Sequence, residues 1–91
     1  MYVLSCLVTV RVPGSESLKD KRRVVKSVIE RLKAKFNLSV AEVGLQESRC
    51  EAEIGFAVVS NDSGFAQTII EAAVRLVESD DRVEVLSIDR Y

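Results

Sequence analysis

Every second residue from Tyr2 to Val12 is apolar: Tyr2, Leu4, Cys6, Val8, Val10 and Val12. The intervening set, Val3, Ser5, Leu7, Thr9 and Arg11, is mixed. Successive side chains of a strand point to opposite faces. This alternation, rich in β-branched residues, therefore predicts a half-buried strand with its even-numbered residues toward the core. Such a strand must hide its apolar face, and the following segments supply the cover.

Pro13-Gly14 punctuates the chain, and Ser17-Leu18-Lys19-Asp20 has the form of a capping box, a hydroxyl followed three residues later by an acid. Beyond it the period changes from two to between three and four. Val25, Val28, Ile29, Leu32 and Phe36 draw one apolar stripe along a helix that should end near Phe36-Asn37. A second strand is expected from about Leu38 to Leu45 and a third from about Cys50 to Val59, with Gln46-Glu47-Ser48-Arg49 as the hairpin turn. The third strand is plainly phased, with Cys50, Ala52, Ile54, Phe56 and Val58 on one side. The second is not, because Val40, Ala41, Val43 and Leu45 fall on both parities. Ser60-Asn61-Asp62-Ser63-Gly64 opens another helix. Its buried stripe is expected at Phe65, Ile69, Ala72, Ala73 and Leu76, flanked by Ile70, Val74 and Val77. It should stop around Ser79-Asp81, before a last strand over roughly Arg82 to Arg90.

The order strand, helix, strand, strand, helix, strand predicts an α+β domain of ferredoxin-like βαββαβ type. Right-handed crossovers would place both helices on one face of a four-stranded antiparallel sheet, with strands one and three at its centre. The 91 residues, 47% apolar and 30% charged, suit one soluble domain over 1–91. With five aromatic residues and no Trp, the core must be mainly aliphatic. No apolar run approaches the ~20 residues of a membrane span, and no basic leader precedes the first strand, so a cytoplasmic location is expected. Cys6 and Cys50 lie in no metal or redox spacing and are expected to be free thiols.

The chain has no His, which removes the commonest general base and metal ligand. No phosphate-cradling glycine loop is present. No catalytic constellation, metal site or cofactor is therefore expected. Glu42, Glu47, Glu51 and Glu53 gather around the hairpin and could meet a cation, although acids on a small open sheet are usually just solvated. Acylphosphatases share this length and topology. They carry a glycine-rich loop with an Arg after the first strand, and an Asn on the second. Here the loop Val12-Pro13-Gly14-Ser15-Glu16-Ser17 holds an acid and no Arg, and the second strand holds no Asn. That chemistry is excluded.

Charge is the feature that points to a partner. Between Ser17 and Phe36 eight cations face only Asp20 and Glu30, a local net charge of +6, whereas the rest of the chain sits at −7. Lys19, Lys21, Arg22, Arg23 and Lys26 are the candidate anion-binding or nucleic-acid-binding residues, a basic stripe suited to a phosphate backbone. The alternative is a solvated helix face. A second candidate surface is the open side of the sheet, where Val3, Leu7, Ala57 and Val59 would pair two copies of the chain.

The stretch from Ser17 to Ser27, SLKDKRRVVKS, resembles the signature of the YlxP-like family of small bacterial proteins of unknown function. The resemblance continues through Phe36–Val43 and resumes at Ile54–Asp62. It implies a ferredoxin-like fold and a gene neighbourhood among translation-initiation and ribosome-maturation factors. A structured RNA or a ribosomal particle then becomes the expected partner. It implies no activity and no cofactor. Relatives often carry an aromatic residue in the hairpin turn, where this chain has Ser48, Arg49 and Cys50.

Overall fold

The computed structural model describes all 91 residues, Met1–Tyr91. Six elements follow in the expected order: β1 (Tyr2–Arg11), α1 (Leu18–Lys35), β2 (Ser39–Gly44), β3 (Glu51–Ser60), α2 (Ser63–Glu78) and β4 (Glu84–Arg90). The four strands form one antiparallel sheet in the order β2-β3-β1-β4. This is the ferredoxin-like arrangement, with β1 and β3 central. Their register runs unbroken from Tyr2 opposite Ser60 to Arg11 opposite Glu51. Even-numbered residues of both strands therefore fall on the same face. Cys6, Val8, Val10, Ala52, Ile54, Phe56 and Val58 are all buried there.

The helices seal that face. Val25, Val28 and Leu32 of α1 join Ala66, Ile70, Ala73, Val74 and Val77 of α2 in a core of 18 buried apolar residues. Valine dominates, and stiff β-branched side chains suit a pleated surface. The stripe of α2 differs from the expected one. Phe65 is 59% exposed, and Ile69 and Ala72 are only half-buried. The alternative spacing 66, 70, 73, 77 is equally helical, and contact with the central strands selects it. Tyr2 is likewise 49% exposed, because it lies at the end of β1.

Both helix starts are capped as their sequences suggest. Ser17 Oγ accepts from Asp20 N–H at 3.1 Å, and Asp62 Oδ1 accepts from Phe65 N–H at 3.1 Å. Asp20 in turn accepts from Glu16 N–H at 3.3 Å, one residue earlier than in the usual box.

The phase of β2, unreadable along the chain, is set by β3. Ser39 lies opposite Ala57, Val40 opposite Phe56 and Glu42 opposite Ile54, with an irregularity before Gly44 opposite Glu53. Val40 and Glu42 thus turn toward the helices, and Ser39 and Ala41 toward the open face. An acid on the buried parity explains the mixed pattern. No helix is long and apolar enough to cross a membrane. Cys6 is buried and Cys50 partly so, both as free thiols. Burial pushes the Cys6 thiol up, which keeps it protonated and unreactive.

Candidate nucleic-acid interface

α1 divides its cations between three destinations. Lys19, Arg22, Arg23 and Lys26 are exposed, and so is Lys33 two turns further on. Helical spacing puts these five on the outward side, opposite the stripe of Val25, Val28 and Leu32. None of them enters an ion pair. From Lys19 to Lys33 the face extends about 21 Å at 1.5 Å per residue. Glu30 is its one acid.

Lys21 corrects the expected set. It is wholly buried, at 0% exposure, on the core side of the helix. Its Nζ donates to the carbonyls of Leu45 at 2.9 Å, Gln46 at 3.4 Å and Glu51 at 3.1 Å. Glu42 Oε2 lies 3.2 Å from the same nitrogen. An ammonium has three protons, and the three carbonyls take them. Glu42 Oε2 is consequently buried without a hydrogen bond, held by charge alone. Lys21 therefore ties α1 to the β2–β3 connection and contributes nothing to the outer surface. Position 21 falls between neighbours that point outward, but its own direction is that of Val25 and Val28. Its four-position offset from Val25 was the available signal.

The tie also holds a strained turn. Leu45 adopts φ 57°, a left-handed conformation that leucine avoids. Its carbonyl accepts from both Lys21 Nζ and Ser48 N–H. Ser48 Oγ accepts from Glu51 N–H at 3.0 Å, and Ser15 Oγ donates to Arg49 O at 2.6 Å, so the connection also packs on the β1–α1 loop.

Arg31 takes the third destination, toward the far end of α2. Its Nη1 donates to Asp80 Oδ2 at 2.7 Å, and Arg82 donates to both Asp80 oxygens. The Arg82 guanidinium, bonded to Asp80, holds the Asp80 carboxyl well below the usual carboxylate range. Burial opposes this, and Arg31 adds to it.

The open sheet face carries the second candidate surface. Val3 is 57% and Val59 67% exposed, while Leu7 and Ala57 are half-buried. Two further residues belong to it that sequence reasoning did not include. Val43 touches the space above Gly55, and Tyr91 pairs its backbone with Ser5, prolonging β4. Together with Ser5, Ala41 and Ala57 they line a shallow concavity of about 460 Å³. Tyr91 is the one aromatic side chain on this face. The central strands offer none, so the base-stacking platform of RNA-reading sheets is absent.

The hairpin acids do not converge. Glu42 turns inward to Lys21, whereas Glu53 lies over Gly44, where a Cβ would collide with its carboxylate.

A family model described as "Protein of unknown function (DUF503)" matches residues 3–90. The chain belongs to that family. The chain is also similar to "Uncharacterized protein YlxP" of Bacillus subtilis (strain 168), 31% identical over 68 residues, which are 75% of this chain and 74% of that protein. A solution NMR structure of a de novo designed protein with a ferredoxin fold aligns with a TM-score of 0.54 at 16% identity. That alignment covers 100% of this chain and 84% of the designed one, a likeness of fold alone.

Proposed function

We propose that this DUF503 member is a non-enzymatic cytoplasmic binding module. It docks on structured RNA or a ribosomal particle through Lys19, Arg22, Arg23 and Lys26, extended by Lys33. One observation carries the reading: five exposed cations without ion-pair partners share the outward side of one rigid helix. Lys19, in the first turn, opposes the helix dipole, a cost that an anionic partner would offset. The gene neighbourhood implied by the YlxP-like resemblance points the same way. Without aromatic platforms the contact would be to phosphates and shape, with little sequence preference.

Filter binding to structured RNA across salt concentrations tests this. Neutralising about four or five phosphates predicts a slope of log K against log salt near −3 to −4. Affinity should then fall roughly a hundredfold between about 50 and 200 mM salt. The variant Lys19→Glu/Arg22→Glu/Arg23→Glu should abolish binding. No binding at low salt, or no effect of the triple variant, removes the proposal.

A second reading, homodimer formation through the open sheet, is favoured by the exposed Val3, Val43, Val59 and Tyr91 on one face. Strands of ten, six, ten and seven residues about 4.8 Å apart present on the order of 500 Å² per copy. Two copies would bury about 1,000 Å², the size of a weak or transient interface. Sedimentation at high micromolar concentration should show a dimer that Leu7→Glu dissociates. A strict monomer eliminates it.

A further inference from the structure

The ends of α1 and α2 enclose a cleft of about 350 Å³ on the flank of α1 away from β2. Arg31, Lys35 and Arg75 converge on it, and Phe36 and Leu76 give it an apolar wall. No carboxylate lines it. Lys35 and Arg75 enter no ion pair. Arg31 is braced from behind, since Asp80, with its side chain only 3% exposed, holds one of its nitrogens. Arg82 supplies Asp80 with a second positive partner at 2.8 Å, so the charge of Asp80 is already met. Ser79 Oγ donates to Leu76 O at 2.8 Å, which leaves recognition to the cations.

Cations commonly serve the last turns of helices by meeting the partial negative charge of the terminal carbonyls. Here α1 and α2 run antiparallel, so their terminal carbonyls point to opposite ends of the helix layer and at most one set, about half a negative charge, can serve the cleft. Three cations in one concavity exceed that by at least two, the charge of a phosphate monoester dianion. Arginine is also the side chain best shaped for phosphate oxygens.

We propose that this cleft binds a phosphate monoester dianion, at a site separate from the outward side of α1. The site does not depend on the RNA reading. The test is titration of the ¹⁵N-labelled protein with glycerol phosphate at constant ionic strength. Saturable amide shifts should be confined to Lys35, Phe36 and Arg75–Ser79. Arg75→Glu, an exposed position whose effect on folding is checked by circular dichroism, should weaken binding at least about tenfold, and so should Lys35→Glu. Lowering the pH from about 7.5 to about 5 should weaken it comparably, because the ester protonates near pH 6 and loses one of its two negative charges. The triple variant Lys19→Glu/Arg22→Glu/Arg23→Glu should leave the shifts unchanged. Loss of RNA binding therefore leaves this site standing, and the reverse. A further arm compares 5′-phosphorylated with 5′-hydroxyl oligoribonucleotides as competitors. Better competition by the phosphorylated form places the ester on an RNA end, and equal competition on a small molecule. Shifts that never saturate, shifts of equal size on Arg22 and Lys26, or indifference to Arg75→Glu would overturn the proposal.

Discussion

Replacing Lys21 by methionine keeps most of the side chain's buried stem and removes its charge. Four oxygens lose their cation: three carbonyls and the Glu42 carboxylate. The losses are unequal. Leu45 and Gln46 are exposed residues, and the Leu45 carbonyl keeps its bond from Ser48 N–H. Glu51 is half-buried, and the Glu42 side chain keeps only 17% of its surface. Breaking a buried ion pair from one side costs about 3–5 kcal/mol net of the desolvation that the lost ammonium no longer requires. The net expectation is a loss of about 3 kcal/mol, a large share of the ~5–15 kcal/mol available to a domain. For a chain of this size that lowers Tm by about 12–24 °C. Urea unfolding followed by far-ultraviolet circular dichroism measures it directly, since the chain has no Trp. Glu42→Gln alone should cost about 1 kcal/mol, because Lys21 keeps its three carbonyls. Combined with Lys21→Met it should restore about 1 kcal/mol by removing the stranded charge. RNA affinity of the folded Lys21→Met protein should be unchanged. If Lys21→Met unfolds within about 0.5 kcal/mol of the parent, Lys21 does not tie α1 to the β2–β3 connection, and it returns to the outer surface with the other cations.

Asp80→Asn should cost about 2 kcal/mol at neutral pH, since two charge-assisted partners are weakened. The folded carboxyl titrates below its ordinary range, so its stabilisation is complete above about pH 4 and drains away as pH falls below that. Acid titration of stability should accordingly flatten in this variant, and an unchanged acid limb would contradict the assignment. Ser17→Ala removes the acceptor for Asp20 N–H and should destabilise by about 1 kcal/mol, measured by urea unfolding. Leu45→Gly should stabilise by about 0.5 kcal/mol, relief of the left-handed leucine outweighing the added freedom of the unfolded chain. A loss of stability there would mean that the Leu45 side chain matters more than its backbone.

The legible parts of this protein are those with a local cause. The parity of β1 and β3 follows from alternation over ten residues each, and their register keeps both even sets on one face. The caps at Ser17 and Asp62 depend on residues three positions away. Phe65 shows where such reasoning ends. Two helical phasings of α2 are equally periodic, and only the sheet beneath distinguishes the one that buries Ala66 from the one that would bury Phe65. Tyr91 was invisible as a surface residue because its place depends on pairing with Ser5, at the opposite end of the chain.

Sequence alone determined the order of elements, the central strands, the helix starts and the gathering of positive charge on α1. Each is a matter of periodicity or composition over a few turns. Only the tertiary structure decided which cations remain outside. Lys21 enters the core because the chain brings Glu42 and three carbonyls of the β2–β3 connection to meet it, while Lys35 and Arg75 converge because the end of α1 lies against the last turns of α2. A charge is placed by what lies across space from it, and that distance cannot be read along the chain.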